Sequence, residues 1–169
     1  SQRAAVEQAI LRDGFPDFQV TEGDLVHAPL DLPQRAADRA EYFPVLYVEP
    51  FAGNEITLGY DMASVEEVRT ALETARESGA IGISAPVQLP YQNAIRLGFV
   101  AAIPVYHPDL LPTDPARRRE QLRGFVVAVF IGDEVMAALL KRMAGSNIEV
   151  MLLDVSKGGV RQVQYAPRD

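Results

Sequence analysis

The sequence predicts an α+β fold, an antiparallel sheet with helices on one side. Three observations lead there. Two long runs, Leu97 to Tyr106 and Arg123 to Ile131, are apolar and rich in β-formers. A stretch opening at Ser64 has helical apolar spacing and a start signal. The elements run strand, strand, helix, short strands, two long strands, helix, strand, with no repeat and no strict βαβ alternation.

Each element has its own cause. Residues 4–13 read as the end of a helix, because Ala5, Val6, Ala9 and Ile10 recur at helical spacing and Asp13-Gly14 stops the pattern before Pro16. Phe15 and Phe18 are placed to pack this helix onto the domain. Gln19-Val20 reads as the start of a short strand and Gly23-Asp24 as a turn. Pro29, Pro33 and several charges predict a loop, with one helical turn near 33–40. Phe43 to Glu49 then reads as a strand, Gly53-Asn54 as a turn, and Glu55 to Tyr60 as an antiparallel partner.

At Ser64-Val65-Glu66-Glu67 the chain offers a capping box, with Val65, Val68, Leu72 and Ala75 as the apolar face behind it. Gly79 suits the left-handed position that ends a helix. Ile81 to Ser84 and Pro86 to Leu89 are short strands, followed by a polar turn at Tyr91-Gln92-Asn93. Between the two long strands lies a Pro-rich loop holding Arg117-Arg118-Arg119. Asp133 opens a helix to about Met143, with Val135, Met136, Leu139 and Leu140 inward. Ile148 to Val155, a turn at Lys157-Gly158-Gly159 and Val160 to Tyr165 complete the chain as a hairpin.

Composition bounds the function. The 169 residues are 48% hydrophobic and 23% charged, the balance of a folded domain with a substantial core. Net charge is −7, from 16 basic and 23 acidic side chains, which disfavours nucleic acid as a partner. The Arg117–Arg119 run reads as a solvated loop. Cysteine is absent, so thiolate metal sites, disulfides and cysteine nucleophiles are excluded. No run approaches the roughly 18 apolar residues that a membrane span needs. No signal peptide opens the chain, and a start without Met predicts a segment of a longer protein; any membrane helices would lie outside it.

No constellation for catalysis stands out, and no cofactor is expected. The two histidines, His27 and His107, sit beside or near prolines in loop-like context, and no G-x-S-x-G elbow marks a serine. His107-Pro108-Asp109 falls short of the three or four converging ligands of a metal site. Glycine-rich phosphate loops are missing. Asp61, at the end of Leu58-Gly59-Tyr60, has two readings: a carboxylate that accepts from a ligand N–H or O–H, or a turn residue bonding nearby amides.

Six short pieces occur in one order: Tyr42-Phe43-Pro44-Val45, Gly59-Tyr60-Asp61-Met62, Ser84-Ala85-Pro86, Arg96-Leu97-Gly98-Phe99, Pro104-Val105-Tyr106 and Gly124-Phe125-Val126. In these the chain resembles the CHASE domain, the extracytoplasmic sensory module of histidine kinases and nucleotide cyclases. The Arg3-Ala4-Ala5 to Asp13-Gly14-Phe15-Pro16 segment is similar to that family's lead-in helix. The resemblance implies a PAS-like sheet preceded by the end of a stalk helix. It divides the chain into 1–40 (stalk end and connecting segment), 41–143 (PAS-like sensing core) and 144–169 (C-terminal strands of the same module).

It implies a small-molecule sensor without catalysis of its own. Such a domain is periplasmic, belongs to an inner-membrane protein, forms a homodimer through the stalk and passes its signal to a cytoplasmic kinase, diguanylate cyclase or phosphodiesterase. The plant cytokinin receptors of this family bind N6-substituted adenines. By similarity to them, Asp61 of the Asp-Met pair matches the adenine acceptor and Ile83 an apolar pocket residue. Their threonine in the next turn has no counterpart in Pro90 to Arg96, where Gln92 or Asn93 stands in as polar partner. The expected ligand is therefore an adenine-type molecule or another small metabolite. Strand alternation adds Phe99 and Ile103 on one face of the sheet and Tyr106 on the other, either of which lines the pocket. The alternative function is a receptor module that binds protein or only dimerises.

Overall fold

The computed structural model describes residues 2–12, 14, 18–23, 33–91, 94–107, 114–143, 152–157 and 160–165. Among the described residues, four α-helices and antiparallel strands make the fold α+β, as the element order predicts. The chain divides into two compact units, Ser1–Arg69 and Thr70–Asp169.

In the first unit, helix α1 spans Gln2–Arg12. Strands β1 (Thr21–Glu22) and β2 (Gln34–Arg35) pair antiparallel, Thr21 opposite Arg35. The helical turn expected at 33–40 is thus a two-residue strand instead. Phe18, Val20 and Ala36 form a small core, with Ile10 of α1 and Tyr42 against it.

The hairpin expected over 43–60 does not form. Residues 43–49 form no strand: they carry one isolated bridge, Pro44 to Asp61, and bend at Glu49. Residues 55–57 wind into a 3₁₀ turn. Local side-chain bonds outcompete the ladder here. The Asn54 carbonyl accepts from the Thr57 amide at 3.0 Å and the Thr57 hydroxyl at 2.7 Å, while Glu55 accepts from the Gly53 amide at 2.9 Å. Pro44 and Pro50 remove two ladder donors. Gly59 (φ +80°) then lets the chain press against residue 19, where a Cβ would lie 2.1 Å from the Gln19 carbonyl oxygen.

Helix α2 spans Glu66–Ser78. The Ser64 capping box is not made: Ser64 closes a 3₁₀ turn over 62–64, its Oγ is buried without a hydrogen-bond partner, and the helix starts two residues later. Of the expected apolar face, Val68, Leu72 and Ala75 are buried and Ala71 joins them, while Val65 precedes the helix and is only partly buried. Gly79 ends the helix at φ +72°, its amide donating to the Ala75 carbonyl at 2.9 Å.

The sheet of the second unit is built on β5 (Ala94–Tyr106). Strand β6 (Leu122–Ile131) pairs along one edge from Gly98 to Tyr106. The other edge takes β4 (Val87–Tyr91) and β3 (Gly82–Ile83) in succession. Ser84 bridges the gap between them: its amide donates to the Val100 carbonyl at 2.8 Å and its hydroxyl accepts from the Val100 amide at 2.9 Å. Gly82 sits under α2, where a Cβ would meet the Ala71 carbonyl oxygen at 2.1 Å.

The Arg-rich segment predicted as a loop contains a short helix, α3 (Pro115–Gln121). Asp114 caps it, accepting from the Ala116 and Arg117 amides at 3.0 and 3.1 Å, and Pro115 occupies the first helical position. Its arginines are partly engaged: Arg118 donates to the Glu77 carbonyl and Arg119 pairs with the Glu77 carboxylate. Helix α4 (Gly132–Arg142) follows β6 directly, packs on β5 and β6, and buries Met136. Strands β7 (Leu152–Lys157) and β8 (Val160–Tyr165) form the closing hairpin. The start expected at Ile148 and the turn glycines 158–159 lie outside the described residues.

Candidate functional site

Asp61 is fully buried in the first unit. Its position is fixed by backbone bonds: its amide donates to the Thr21 carbonyl at 2.8 Å and its carbonyl accepts from the Ser64 amide at 2.9 Å. One carboxylate oxygen, Oδ1, accepts from the Phe43 amide at 2.9 Å and the Ala63 amide at 3.2 Å. The other, Oδ2, faces Arg39 Nη2 at 3.1 Å as an ion pair, with no well-directed hydrogen bond of its own. Of the two sequence readings of Asp61, the structure shows the turn role: its side chain is fully buried and bonds nearby amides. Oδ1 performs the turn role, and Oδ2 retains accepting capacity.

Arg39 belongs to a larger charged cluster that sequence inspection does not single out. Its guanidinium also pairs with Glu22 and lies 5.5 Å from the Tyr42 ring centre. Glu22 in turn accepts from the Ala37 amide at 2.9 Å. Glu7 of α1 is buried, accepts from the Val20 amide at 3.1 Å and pairs with Arg35 at 2.5 Å. Arg3 of α1 donates to the Ala36 carbonyl and pairs with Asp38 at 3.1 Å. The available sequence signal is the alternation of charges in Gln34-Arg35-Ala36-Ala37-Asp38-Arg39, which says nothing of partners by itself.

In the second unit, Ile83, Phe99 and Ile103 lie on one face of the sheet. Ile83 stands opposite Ala101, and Phe99, Ala101 and Ile103 alternate along β5. Across β6 the same face continues with Phe130 opposite Phe99 and Val126 opposite Ile103. The Phe99 and Phe130 rings stack at 5.1 Å. This face is open: Ile83 is 64%, Ile103 48% and Val126 61% exposed. The near-continuous apolar run Phe125–Ile131 was the signal for β6's share in it, since a strand apolar on both faces has a second face to cover.

Tyr106 lies on the opposite face, with Val100 and Ala102, which are buried. Its hydroxyl donates to the Arg76 carbonyl of α2 at 2.9 Å. Burial pushes this hydroxyl's pKa above its ordinary value, against the opposing pull of Arg118 and Arg76, so it stays a donor. Gln92, Asn93 and His27 lie outside the described residues. His107 borders a shallow depression of about 280 Å³ lined also by Glu120, Gln121, Leu122 and Arg123. Among the described residues, no three His, Asp or Glu side chains are grouped to hold a metal ion, and no helix is long and apolar enough to cross a membrane.

The family model described as the CHASE domain matches residues 1–165. A search of curated proteins finds no match to the chain.

Proposed function

Since the chain belongs to the CHASE domain family, we propose that it is the small-molecule sensor domain of a membrane-bound receptor. CHASE domains are sensory, non-catalytic, extracellular domains of membrane receptors. In this reading the domain is PAS-like and periplasmic, α1 is the end of a stalk through which two copies pair, and the output is a histidine kinase or a cyclic-dinucleotide enzyme.

The observation that carries ligand binding is the open apolar face of β3, β5 and β6. Ligand sites are mostly apolar walls with a few fixed polar groups. Ile83, Phe99 and Ile103 are the proposed wall, fitted to a flat, largely apolar molecule such as a substituted adenine. Asp61 is a separate polar candidate within the first unit, matched only by its place in the Asp-Met pair. Signalling requires that the ligand favour one arrangement of the domain over another.

Calorimetry of the domain against a panel of adenine-type and other small metabolites tests the reading. Ile103→Ser removes apolar surface from an exposed position, so stability changes by less than about 0.5 kcal/mol. Ligand affinity drops about ten-fold, for a loss near 1.4 kcal/mol. A panel without any binder, or a ligand whose affinity ignores both Ile103→Ser and Phe99→Ala, counts against it. The same open face favours one second reading, a docking surface for a protein. That reading predicts a complex with a periplasmic protein that Ile103→Ser dissolves, with no small molecule bound.

A further inference from the structure

We infer that Arg39 couples the Asp61 carboxylate to helix α1, through a charged clamp formed by residues 35–39. Every residue of this short segment has a polar tie. Arg35 holds Glu7 of α1, and the Ala36 carbonyl and Asp38 hold Arg3 of α1. The Ala36 amide donates to the Val20 carbonyl at 2.9 Å and the Ala37 amide to Glu22 at 2.9 Å. Arg39 closes the segment onto Glu22 and Asp61.

One nitrogen, Arg39 Nη2, serves both carboxylates. Replacing the Asp61 carboxylate, or occupying its Oδ2, releases that nitrogen to Glu22 alone. Glu22 also holds the Ala37 amide, so the change is felt between the two residues that grip Arg3 of α1. Asp61 is fully buried, so its charge acts in a poorly screened environment. Arg39 is about one-third exposed, which moderates the coupling. The clamp's ties are all internal to residues 1–69, so the inference stands or falls independently of any ligand.

Amide hydrogen exchange of the full 169-residue chain tests it. Arg39→Gln is expected to speed exchange in the last two turns of α1 roughly five-fold, at the low end of ordinary coupling between sites. Exchange in β5 and β6 stays unchanged. Glu7→Gln serves as the positive control for loosening α1. In the doubly substituted chain, coupling gives less than the product of the two single effects. Unchanged α1 exchange in Arg39→Gln, or purely multiplicative effects in the double variant, overturns the inference. Should Arg39→Gln unfold residues 1–69, Arg39→Lys keeps the charge and replaces the fork, and the same two criteria apply to it.

Discussion

The two units are stabilised by different physics. The unit Thr70–Asp169 rests on a long antiparallel ladder with a helix over one face, and its buried side chains include Leu72, Val100, Ala102 and Met136. Among its described residues, the unit Ser1–Arg69 has short strands, single bridges and a small core, and it buries two carboxylates, Glu7 and Asp61. Apolar packing tolerates salt and pH, whereas a buried carboxylate depends on its partners staying in place. The first unit is therefore the one whose stability responds to small changes of charge.

Three substitutions or conditions probe that contrast, beginning with the largest effect. Leu72→Ala leaves a cavity in the packed unit and is expected to cost about 3 kcal/mol in chemical denaturation, within the usual span for a buried leucine. The loss should be nearly the same in low and high salt, and a strong salt dependence would remove the distinction between the units. Glu7→Gln keeps the shape but discards the charge that pairs with Arg35 and accepts from the Val20 amide. A loss of about 1.5–3 kcal/mol is expected, as for a hydrogen bond to a charged group, and salt should shrink it. Fluorescence or exchange probes confined to residues 1–69 read this change.

The smallest effect belongs to Glu55. Backbone N–H groups of Glu55 and Gly53 hold its carboxyl below the usual range, while the side chain itself is exposed. A depressed folded-state pKa contributes stability above the ordinary carboxylate pKa and loses it as pH falls through the folded value. Exchange of the Gly53 and Leu58 amides should therefore quicken only in the acid range, at pH below the usual glutamate titration. A rise already near neutral pH would show that another group controls this turn.

The same contrast decides what could be read from the sequence. Helix α2, Gly79, and strands β5 and β6 are legible because burial repeats at a fixed period over many residues. Residues 43–60 are not. Phe43-Pro44-Val45-Leu46-Tyr47-Val48 has strand composition, but Asn54, Glu55 and Thr57 bond locally and the prolines withhold donors. The Arg117–Arg119 helix is missed for a similar reason, since Asp114-Pro115 is a start signal drowned by neighbouring prolines. For the site, the sheet alternation correctly groups Phe99 with Ile103 and separates Tyr106. Arg39 and Glu7 escape notice because pairing over long sequence separation leaves no local pattern.

Strand β6 carries a last consequence. Among the described residues it pairs with β5 alone, and after Arg123 it runs to Ile131 without a charge, a proline or any other residue that blocks strand addition. Such an uncharged segment of high β-propensity is the kind that aggregates when the chain unfolds. The isolated domain should thus be handled dilute, and a lysine at position 128, opposite Ala101 on the open face, is the natural gatekeeper for anyone who needs it concentrated.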